Sequence, residues 1–291
     1  MTTIGIIGIG LIGSSIAQGL KLADPGLEFV ICDKDERALK TAREISIEAN
    51  FTSNPVEVAQ HCDIIFICTP VRTIDSVAKS LSADLKAGTI ITDVGSVKSY
   101  VVKMAAPHIP ANCHFIPGHP VAGLESAGPE NGFPGLFENR NWILTPPEEI
   151  DKAAIKKLRG LLEKLNVKNV IEMDPESHDR ILGFTSHMPH VIAFAAMMES
   201  SEISQDLDID ISRFNGGSYE DMTRVATADT IMWRDIFLTN GDNIKKVVRD
   251  FITQMEGYLD LMEKDKIDML AQKIENARQL KQDQNDKKNT G

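Results

Sequence analysis

The 291-residue sequence predicts an α/β domain built on a parallel sheet, followed by an all-α domain. Short apolar runs alternate with helical patterns as far as residue 173, which is typical of parallel strands joined by crossover helices. A glycine-rich turn ends the first run, and the apolar spacing from residue 174 onward is helical. We therefore predict an N-terminal domain over residues 1–173, a helical domain over 174–280 and a disordered polar tail over 281–291.

The first strand, turn and helix carry a dinucleotide-binding pattern. A strand-like run at 4–7 leads into Gly-x-Gly-x-x-Gly and then into a helical pattern. The first glycine permits a tight turn, the second lets the backbone approach a pyrophosphate, and the third allows close helix–strand packing. The helix N-terminus adds N–H groups and the positive end of the helix dipole. The pattern predicts a Rossmann-type fold whose cofactor contacts are Gly8, Ile9, Gly10, Leu11, Ile12 and Gly13.

An acidic residue ends the second strand-like run, at 28–32. This residue is Asp33, and it follows the last glycine of the turn by twenty positions. A carboxylate there bonds the ribose hydroxyls and repels a 2′-phosphate, so we expect NAD rather than NADP. Lys34 follows directly and would weaken that discrimination. A Rossmann fold without a dinucleotide is the alternative.

The alternation of strands and helices continues through the first domain. Strand-like runs lie at 63–68, 89–94, 114–117, 141–144 and 170–173, with helical patterns at 38–49, 73–85 and 150–165. Ligands of open α/β sheets bind at the carboxyl ends of the strands. We therefore expect Thr69, Pro70 and Ser96, which follow two of these runs, at the cofactor site. In the second domain, residues 185–199 are apolar nearly all round, which predicts a deeply buried helix.

Composition excludes several classes of partner and location. With 31 Lys+Arg against 42 Asp+Glu, the net charge of −11 disfavours nucleic acid and anionic membrane as the main partner. The four cysteines show neither CxxC spacing nor the Cys/His pairing of a zinc site, which predicts reduced thiols in a cytoplasmic protein. The apolar N-terminus lacks the basic segment of a secretion signal, and no run of 18 apolar residues predicts a transmembrane helix.

A candidate catalytic histidine, His119, lies in the stretch Gly-His-Pro-Val-Ala-Gly at 118–123. Glycine and proline predict a tight loop, and a histidine held there against a bound nicotinamide can accept a proton at neutral pH. The alternative is a turn histidine that bonds only its own backbone.

Four separated stretches resemble the prephenate/arogenate (cyclohexadienyl) dehydrogenases of tyrosine biosynthesis. They lie at 95–98, 118–123, 186–190 and 221–235, and with the glycine turn the resemblance spans about residues 1–262. It implies that prephenate and NAD give 4-hydroxyphenylpyruvate, carbon dioxide and NADH, or that arogenate gives tyrosine. Hydride transfer oxidises the ring C4 hydroxyl, and loss of the ring carboxylate then yields a phenol.

The resemblance also implies roles for four residues. His119 accepts a hydrogen bond from the C4 hydroxyl, and Ser96 bridges this histidine, the hydroxyl and the cofactor. His187 helps to hold the substrate. The alternatives are a core histidine hydrogen-bonded within the protein or a ligand in a His-x-x-His metal site. Pro189 interrupts that metal-site spacing and no third ligand appears, so we predict no metal. Arg224 pairs with a substrate carboxylate, for which a two-pronged, permanently charged guanidinium is suited.

Three further residues match the family less sharply. We expect Asp221, three residues before Arg224, to orient that arginine or to form an ordinary surface ion pair. Trp233 resembles a tryptophan that reaches toward the partner subunit's site, with interface or core packing as the alternative. Glu125 matches an acid near the pocket mouth. The resemblance further implies a homodimer formed through the helical domain.

Two residues depart from the family pattern, so the sequence does not decide between the two substrates. Glu220 stands where the family usually has a basic residue, and Leu124 stands where threonine is common. Prephenate and arogenate are both possible, and tyrosine would inhibit by mimicry at the active site. The alternative functions are a β-hydroxyacid dehydrogenase, which shares the N-terminal fold, and a non-catalytic NAD-binding module.

Overall fold

The computed structural model describes residues 2–124 and 126–290, apart from the side chains of 288–290. Its strands are β1 (Thr3–Ile7), β2 (Glu28–Cys32), β3 (Asn50–Thr52), β4 (Ile64–Ile67), β5 (Ile90–Asp93), β6 (His114–Phe115), β7 (Gly118–Pro120), β8 (Asn141–Leu144) and β9 (Asn169–Glu172). Its helices are α1 (Leu11–Ala23), α2 (Glu36–Glu44), α3 (Pro55–His61), α4 (Ile74–Leu81), α5 (Ser99–Ala105), α6 (Lys152–Glu163), α7 (Pro175–Leu182), α8 (Met188–Leu207), α9 (Gly217–Thr223), α10 (Thr230–Thr239), α11 (Gly241–Glu263) and α12 (Ile267–Thr290).

The main sheet has six parallel strands in the order β3-β2-β1-β4-β5-β6. The strand order reverses beside β1, which makes the gap between β1 and β4 the topological switch point where such sheets bind ligands. The apolar runs are buried because helices cover both faces of the sheet; Ile4 and Phe66, for example, are fully buried. The predicted Rossmann-type domain followed by a helical region is confirmed.

A second sheet of three strands, β7-β8-β9, carries His119. Strands β7 and β8 are antiparallel, and His119 is opposite Ile143. The prediction of a tight loop around His119 was therefore wrong. Strand β7 is at the edge of its sheet, where Pro120 can be accommodated although it has no N–H to donate to a ladder.

The helix predicted over 185–199 exists as part of α8, but its predicted deep burial is wrong. Only Met188 and Ala193 of α8 are buried in the chain, and Met198 is 66% exposed. The segment Pro175–Leu207 is, by length and composition, apolar enough to span a membrane, and 28% of its apolar 18-residue stretch is buried within the chain. An apolar helix is covered either by its own chain or by a partner, and here its own chain covers only a small part.

The chain forms two compact units, one up to Ile244 and the other from Lys245 onward. The predicted boundary at residue 173 does not separate them, because helices α7 to α10 belong to the first unit. The second unit contains most of α11 together with α12, and its Lys273 ammonium lies 4.2 Å from the centre of the Tyr258 ring.

The predicted disordered tail is helical as far as Thr290. Its residues are mostly compatible with a helix, and side chains one turn apart bond each other, as Gln279 does to Asp283 at 2.9 Å. The polar composition therefore did not predict disorder correctly.

Candidate active site

The glycine turn between β1 and α1 has the geometry that a dinucleotide requires. Gly8 has φ of +96°, and a Cβ on it would lie 2.7 Å from the carbonyl oxygen of Cys68. A Cβ on Gly13 would collide with the carbonyl oxygen of Gly8. A Cβ on Gly10 would meet nothing within 4 Å, and no side chain caps the start of α1 there. The turn thus leaves open space in front of a helix N-terminus, which suits a pyrophosphate.

The other predicted cofactor residues surround this turn. Asp33 accepts the Ile9 N–H at 2.8 Å and the Asp35 N–H at 2.9 Å, so its carboxylate is held against the turn. The Thr69 hydroxyl is buried without a partner among the described residues, and Pro70 is exposed beside it. The side chains of Ile9 and Leu11 are in the core, so only the backbone there can contact a cofactor.

A chain of three buried side chains begins at His119. Its Nδ1 lies 2.8 Å from Nε2 of His178, and Nδ1 of His178 lies 2.8 Å from Oδ1 of Asp179. His119 is 9% exposed and the other two are fully buried. Burial, reinforced by the neighbouring charges of His178 and Lys98, lowers the pKa of His119 well below its ordinary value. His119 is therefore neutral at neutral pH and can act as a base.

A buried ion pair joins the loop after β5 to β7. Lys98 is fully buried; its Nζ contacts the carboxylate of Asp93 and donates to the carbonyl oxygen of Gly118 at 2.7 Å. Asp93 also accepts the N–H groups of Gly95 at 2.7 Å and Gly118 at 3.3 Å. Burial lowers the pKa of the Lys98 ammonium, and the proximity of Asp93 opposes that shift. The pair fixes the strand that carries His119.

The partly exposed Ser96 lies on the same loop. The carboxylate of Asp179 accepts the backbone N–H groups of Lys98 at 2.6 Å and Ser99 at 2.8 Å, so the end of the loop is tied to α7. Ser96 thus lies on the loop whose Lys98, together with Asp93, contacts Gly118, the residue before His119.

Only one of the two ring nitrogens of the buried His187 has a hydrogen-bond partner among the described residues. Asn240 Nδ2 donates to the carbonyl oxygen of Asp179 at 2.8 Å and lies 3.1 Å from Nδ1 of His187. Nε2 of His187 is buried and has no partner among the described residues. Burial lowers the pKa of His187 to about 4. The ring therefore presents a neutral Nε2–H donor, as a substrate-binding histidine would.

Because His187 is buried, we expect the free energy of unfolding to decrease at acid pH. The pKa of His187 is near 6.5 in the unfolded chain and about 4 in the folded chain. Between these pH values the unfolded state binds more protons, so the stability of the folded state decreases as the pH falls. At 1.36 kcal/mol per pKa unit, His187 alone removes about 3 kcal/mol. Urea unfolding of the protein and of His187→Gln between pH 7 and 4 measures this. The variant should lose less stability, whereas His61→Gln, at an exposed histidine, should match the parent. Equal losses in all three proteins would contradict the prediction.

Trp233 is 4% exposed and lies in an aromatic cluster of its own chain. Its ring stacks on His190, with centroids 3.8 Å apart, and meets His187 edge-on at 5.7 Å. Phe194 meets the Trp233 ring edge-on, with ring centroids 6.2 Å apart. Trp233 thus packs in the core of its own chain, between α8 and α10, which was the alternative to a reach toward the partner subunit's site.

Arg224 begins a 3₁₀ turn after α9 and is exposed in a cleft of about 540 Å³. The cleft is lined by Phe194, Met197, Met198, Asn215, Tyr219, Glu220, Thr223, Arg224, Ala226 and Thr227. Within the described part of the chain, this lining does not include Ser96, His119 or His187. Phe194 lines this cleft and contacts Trp233, which in turn contacts His187, so aromatic side chains connect the cleft to the histidine cluster.

The two acidic residues predicted near this site are less informative. Asp221 is exposed on α9, and among the described residues no ion pair joins it to Arg224. Among the described residues, Asp221 therefore makes neither a contact that would orient Arg224 nor the surface ion pair that was the alternative. Glu125 lies outside the described residues.

The sheet order, the glycine turn at its switch point and the histidine cluster beside it define the class of a dinucleotide-dependent dehydrogenase. Residues 16–171 match the nucleotide-binding domain of prephenate dehydrogenase, and residues 174–276 match the prephenate dehydrogenase dimerization domain. The chain belongs to the prephenate dehydrogenase family, a family of oxidoreductases, and the alternative of a β-hydroxyacid dehydrogenase is set aside.

Individual relatives agree with this placement. The chain is 36% identical to a cyclohexadienyl dehydrogenase of Zymomonas mobilis over 253 residues, covering 87% of this chain and 86% of the relative. It is 31% identical to a Bacillus subtilis prephenate dehydrogenase, covering 95% and 74%. A solved prephenate dehydrogenase from Aquifex aeolicus, in complex with hydroxyphenyl propionate and NAD⁺, has a TM-score of 0.88 and 31% identity over 96% of both chains.

Proposed function

We propose that this protein catalyses the NAD-dependent oxidative decarboxylation of prephenate to 4-hydroxyphenylpyruvate, or of arogenate to tyrosine, in tyrosine biosynthesis. The observation that carries the proposal is the neutral, buried His119, which lies beside the Ser96 loop at the carboxyl edge of the dinucleotide-binding sheet. A chain that only sensed NAD would need no such base.

The residues around the glycine turn fit NAD. The backbone of 8–13 would hold the pyrophosphate, Asp33 the ribose hydroxyls, and the unpartnered Thr69 hydroxyl a further polar group. Bound there, NAD⁺ supplies a hydride acceptor. The protein's own contribution is to hold the substrate hydroxyl and to receive its proton.

The remaining roles follow from the groups available. Nε2 of His119 accepts the proton of the C4 hydroxyl, and Ser96 orients that hydroxyl. The buried Nε2–H of His187 donates to a substrate oxygen. Arg224 pairs with a substrate carboxylate, since its guanidinium stays charged and binds with two parallel hydrogen bonds. Glu220 in the same cleft adds a negative charge, which would favour the amino group of arogenate over the keto group of prephenate.

NADH formation tests the proposal. The protein is assayed with prephenate and with arogenate, each with NAD⁺ and with NADP⁺, and with His119→Asn as the control for contaminating activity. We expect NADH from at least one substrate with NAD⁺. If neither substrate yields reduced cofactor with the parent protein, the proposed function is wrong.

The variant Asp33→Asn tests the expected preference for NAD over NADP. Removal of the charge weakens two charge-assisted hydrogen bonds to the ribose and the repulsion of a 2′-phosphate, so the NAD/NADP ratio of kcat/KM should fall roughly 10–100-fold. Lys34→Gln is the neighbouring control and should shift the ratio the other way or leave it unchanged. A ratio that does not change in Asp33→Asn would argue against the ribose contact.

The helical region is proposed to form a homodimer. Support comes from the dimerization-domain match and from large apolar side chains exposed there, including Met197, Met198, Ile203, Leu207, Met255, Leu259, Met262, Met269 and Ile274. Met198→Glu should weaken dimerisation at least 10-fold in sedimentation velocity, because a buried methionine contributes about 1.5–3 kcal/mol. Leu22→Glu, at a 73% exposed position of α1, is the matched control. A monomeric parent protein would contradict the proposal.

Two further expectations are also proposals. Tyrosine carries the phenol and a carboxylate of the product, so it should raise the apparent KM for substrate without lowering kcat. A cytoplasmic location is supported by the four cysteines, which are unpaired.

A further inference from the structure

The hydrogen bonds that link the side chains of His119, His178 and Asp179 determine which ring nitrogen of each histidine carries a hydrogen. The Asp179 carboxylate accepts from the Lys98 and Ser99 N–H groups as well as from His178. Burial acts to raise the pKa of Asp179, but these hydrogen bonds hold it below its ordinary value. An ionised carboxylate can only accept, so Nδ1 of His178 carries a hydrogen.

The tautomer of His119 follows from that of His178. Neutral His178 has its hydrogen on Nδ1, so its Nε2 is an acceptor. The 2.8 Å contact from His119 Nδ1 to this atom then requires His119 to donate. Nε2 of His119 is left with its lone pair, and this is the atom that a base needs. His178 and Asp179 thus select the basic tautomer.

The charges around the two rings favour a proton on the second one. The groups acting on His119 are Lys98, His187 and His178, and each opposes a positive charge. His178 also faces Lys98, but Asp179 and Asp93 favour its charged form. A proton that enters at His119 is therefore better stabilised on His178.

We propose that His178 is a positioning residue that sets the tautomer of His119 and stores the substrate proton during the reaction. The inference rests on the proposed function. As the C4 carbon loses a hydride to NAD⁺, the O–H bond breaks and a bond forms to Nε2 of His119, while the Nδ1 hydrogen of His119 passes to Nε2 of His178. The result is a C4 ketone and an imidazolium beside Asp179.

The stored proton is used in the second half of the reaction. When the ring carboxylate leaves as carbon dioxide, its electron pair enters the ring, and the C4 oxygen becomes a phenolate. The proton returns along the same path to that oxygen and restores both neutral imidazoles. Overall one hydride leaves, one carbon dioxide forms, and no proton is exchanged with water, which accords with the burial of all three side chains.

Two variants separate the two roles of His178. In His178→Gln, the amide oxygen still accepts from His119 Nδ1, so the tautomer is kept but no proton can be stored; we expect kcat to fall about 10-fold. In His178→Phe both roles are lost, and kcat should fall at least 100-fold, within the range for general base catalysis. KM should stay within about threefold in both variants, and His61→Gln should behave as the parent.

Nitrogen-15 NMR of histidine-labelled protein provides a readout that does not depend on activity. The His119 signals, assigned by their loss in His119→Asn, should show protonated Nδ1 and unprotonated Nε2 in the parent and in His178→Gln, and mixed tautomers in His178→Phe. Protonated Nε2 in the parent, or full kcat in His178→Gln, would overturn the proposal. A parent protein inactive on both substrates would refute the proposed function, and the spectra would still decide the tautomer.

Discussion

His119→Asn should lower kcat by roughly 10²–10⁴, the range for loss of a positioned acid–base group. Asparagine is close in size and can still donate to His178, so the buried chain keeps its packing. It has no lone pair of sufficient basicity to accept the substrate proton. Steady-state NADH formation measures kcat, and KM should change little because the histidine acts mainly in the transition state. Turnover near that of the parent would remove His119 from the mechanism.

The pH profile of the parent protein supplies the matching control. The pKa of His119 lies well below 6.5 because the ring is buried, with His178, Lys98 and His187 as its charged or titratable neighbours. The base is therefore neutral above pH 6.5, so kcat/KM should be level there and decrease only at lower pH. His119→Asn should lose this acid limb. A parent limb centred at or above pH 7 would contradict the buried, neutral base.

The fold was largely predictable because its signals are local. Strand-like runs at 141–144 and 28–32 correspond to β8 and β2, and the glycine turn indicated the Rossmann arrangement. Burial of α8 was not predictable, since an apolar helix shows only that something covers it. Likewise α12 is polar throughout, and composition alone does not distinguish an exposed helix from a disordered tail.

The site was predicted only where a motif marked it. His119, Ser96 and His187 each lie in a recognisable stretch, whereas His178 acts through a partner 59 positions away and Asp179 through one 81 positions away. Nothing local distinguishes such a residue from an ordinary polar residue at the start of a helix. The available signal was the adjacent His-Asp pair of 178–179, just after the predicted boundary between the two domains.

The largest stability effect should come from the buried Lys98. In Lys98→Met the side chain keeps its length and its packing, but the Asp93 carboxylate stays buried without its cation. The N–H groups of Gly95 and Gly118 remain as donors to it and compensate only in part. Breaking a buried pair in this way typically costs about 3–5 kcal/mol. Urea unfolding at neutral pH should show a loss of this size.

Two comparisons test whether the loss comes from the unpaired charge. Lys246→Met removes an exposed lysine whose Nζ lies 2.8 Å from Asp250, and it should change stability by less than about 1 kcal/mol. The double variant Asp93→Asn with Lys98→Met replaces both charges and should recover part of the loss, because the uncompensated carboxylate is gone. If the double variant is less stable than Lys98→Met, the hydrogen bonds of the Asp93 carboxylate to the Gly95 and Gly118 N–H groups outweigh the cost of its unpaired charge. If Lys98→Met loses less than about 1 kcal/mol, the pair does not hold β7 in place, and the position of His119 must then depend on its bond to His178.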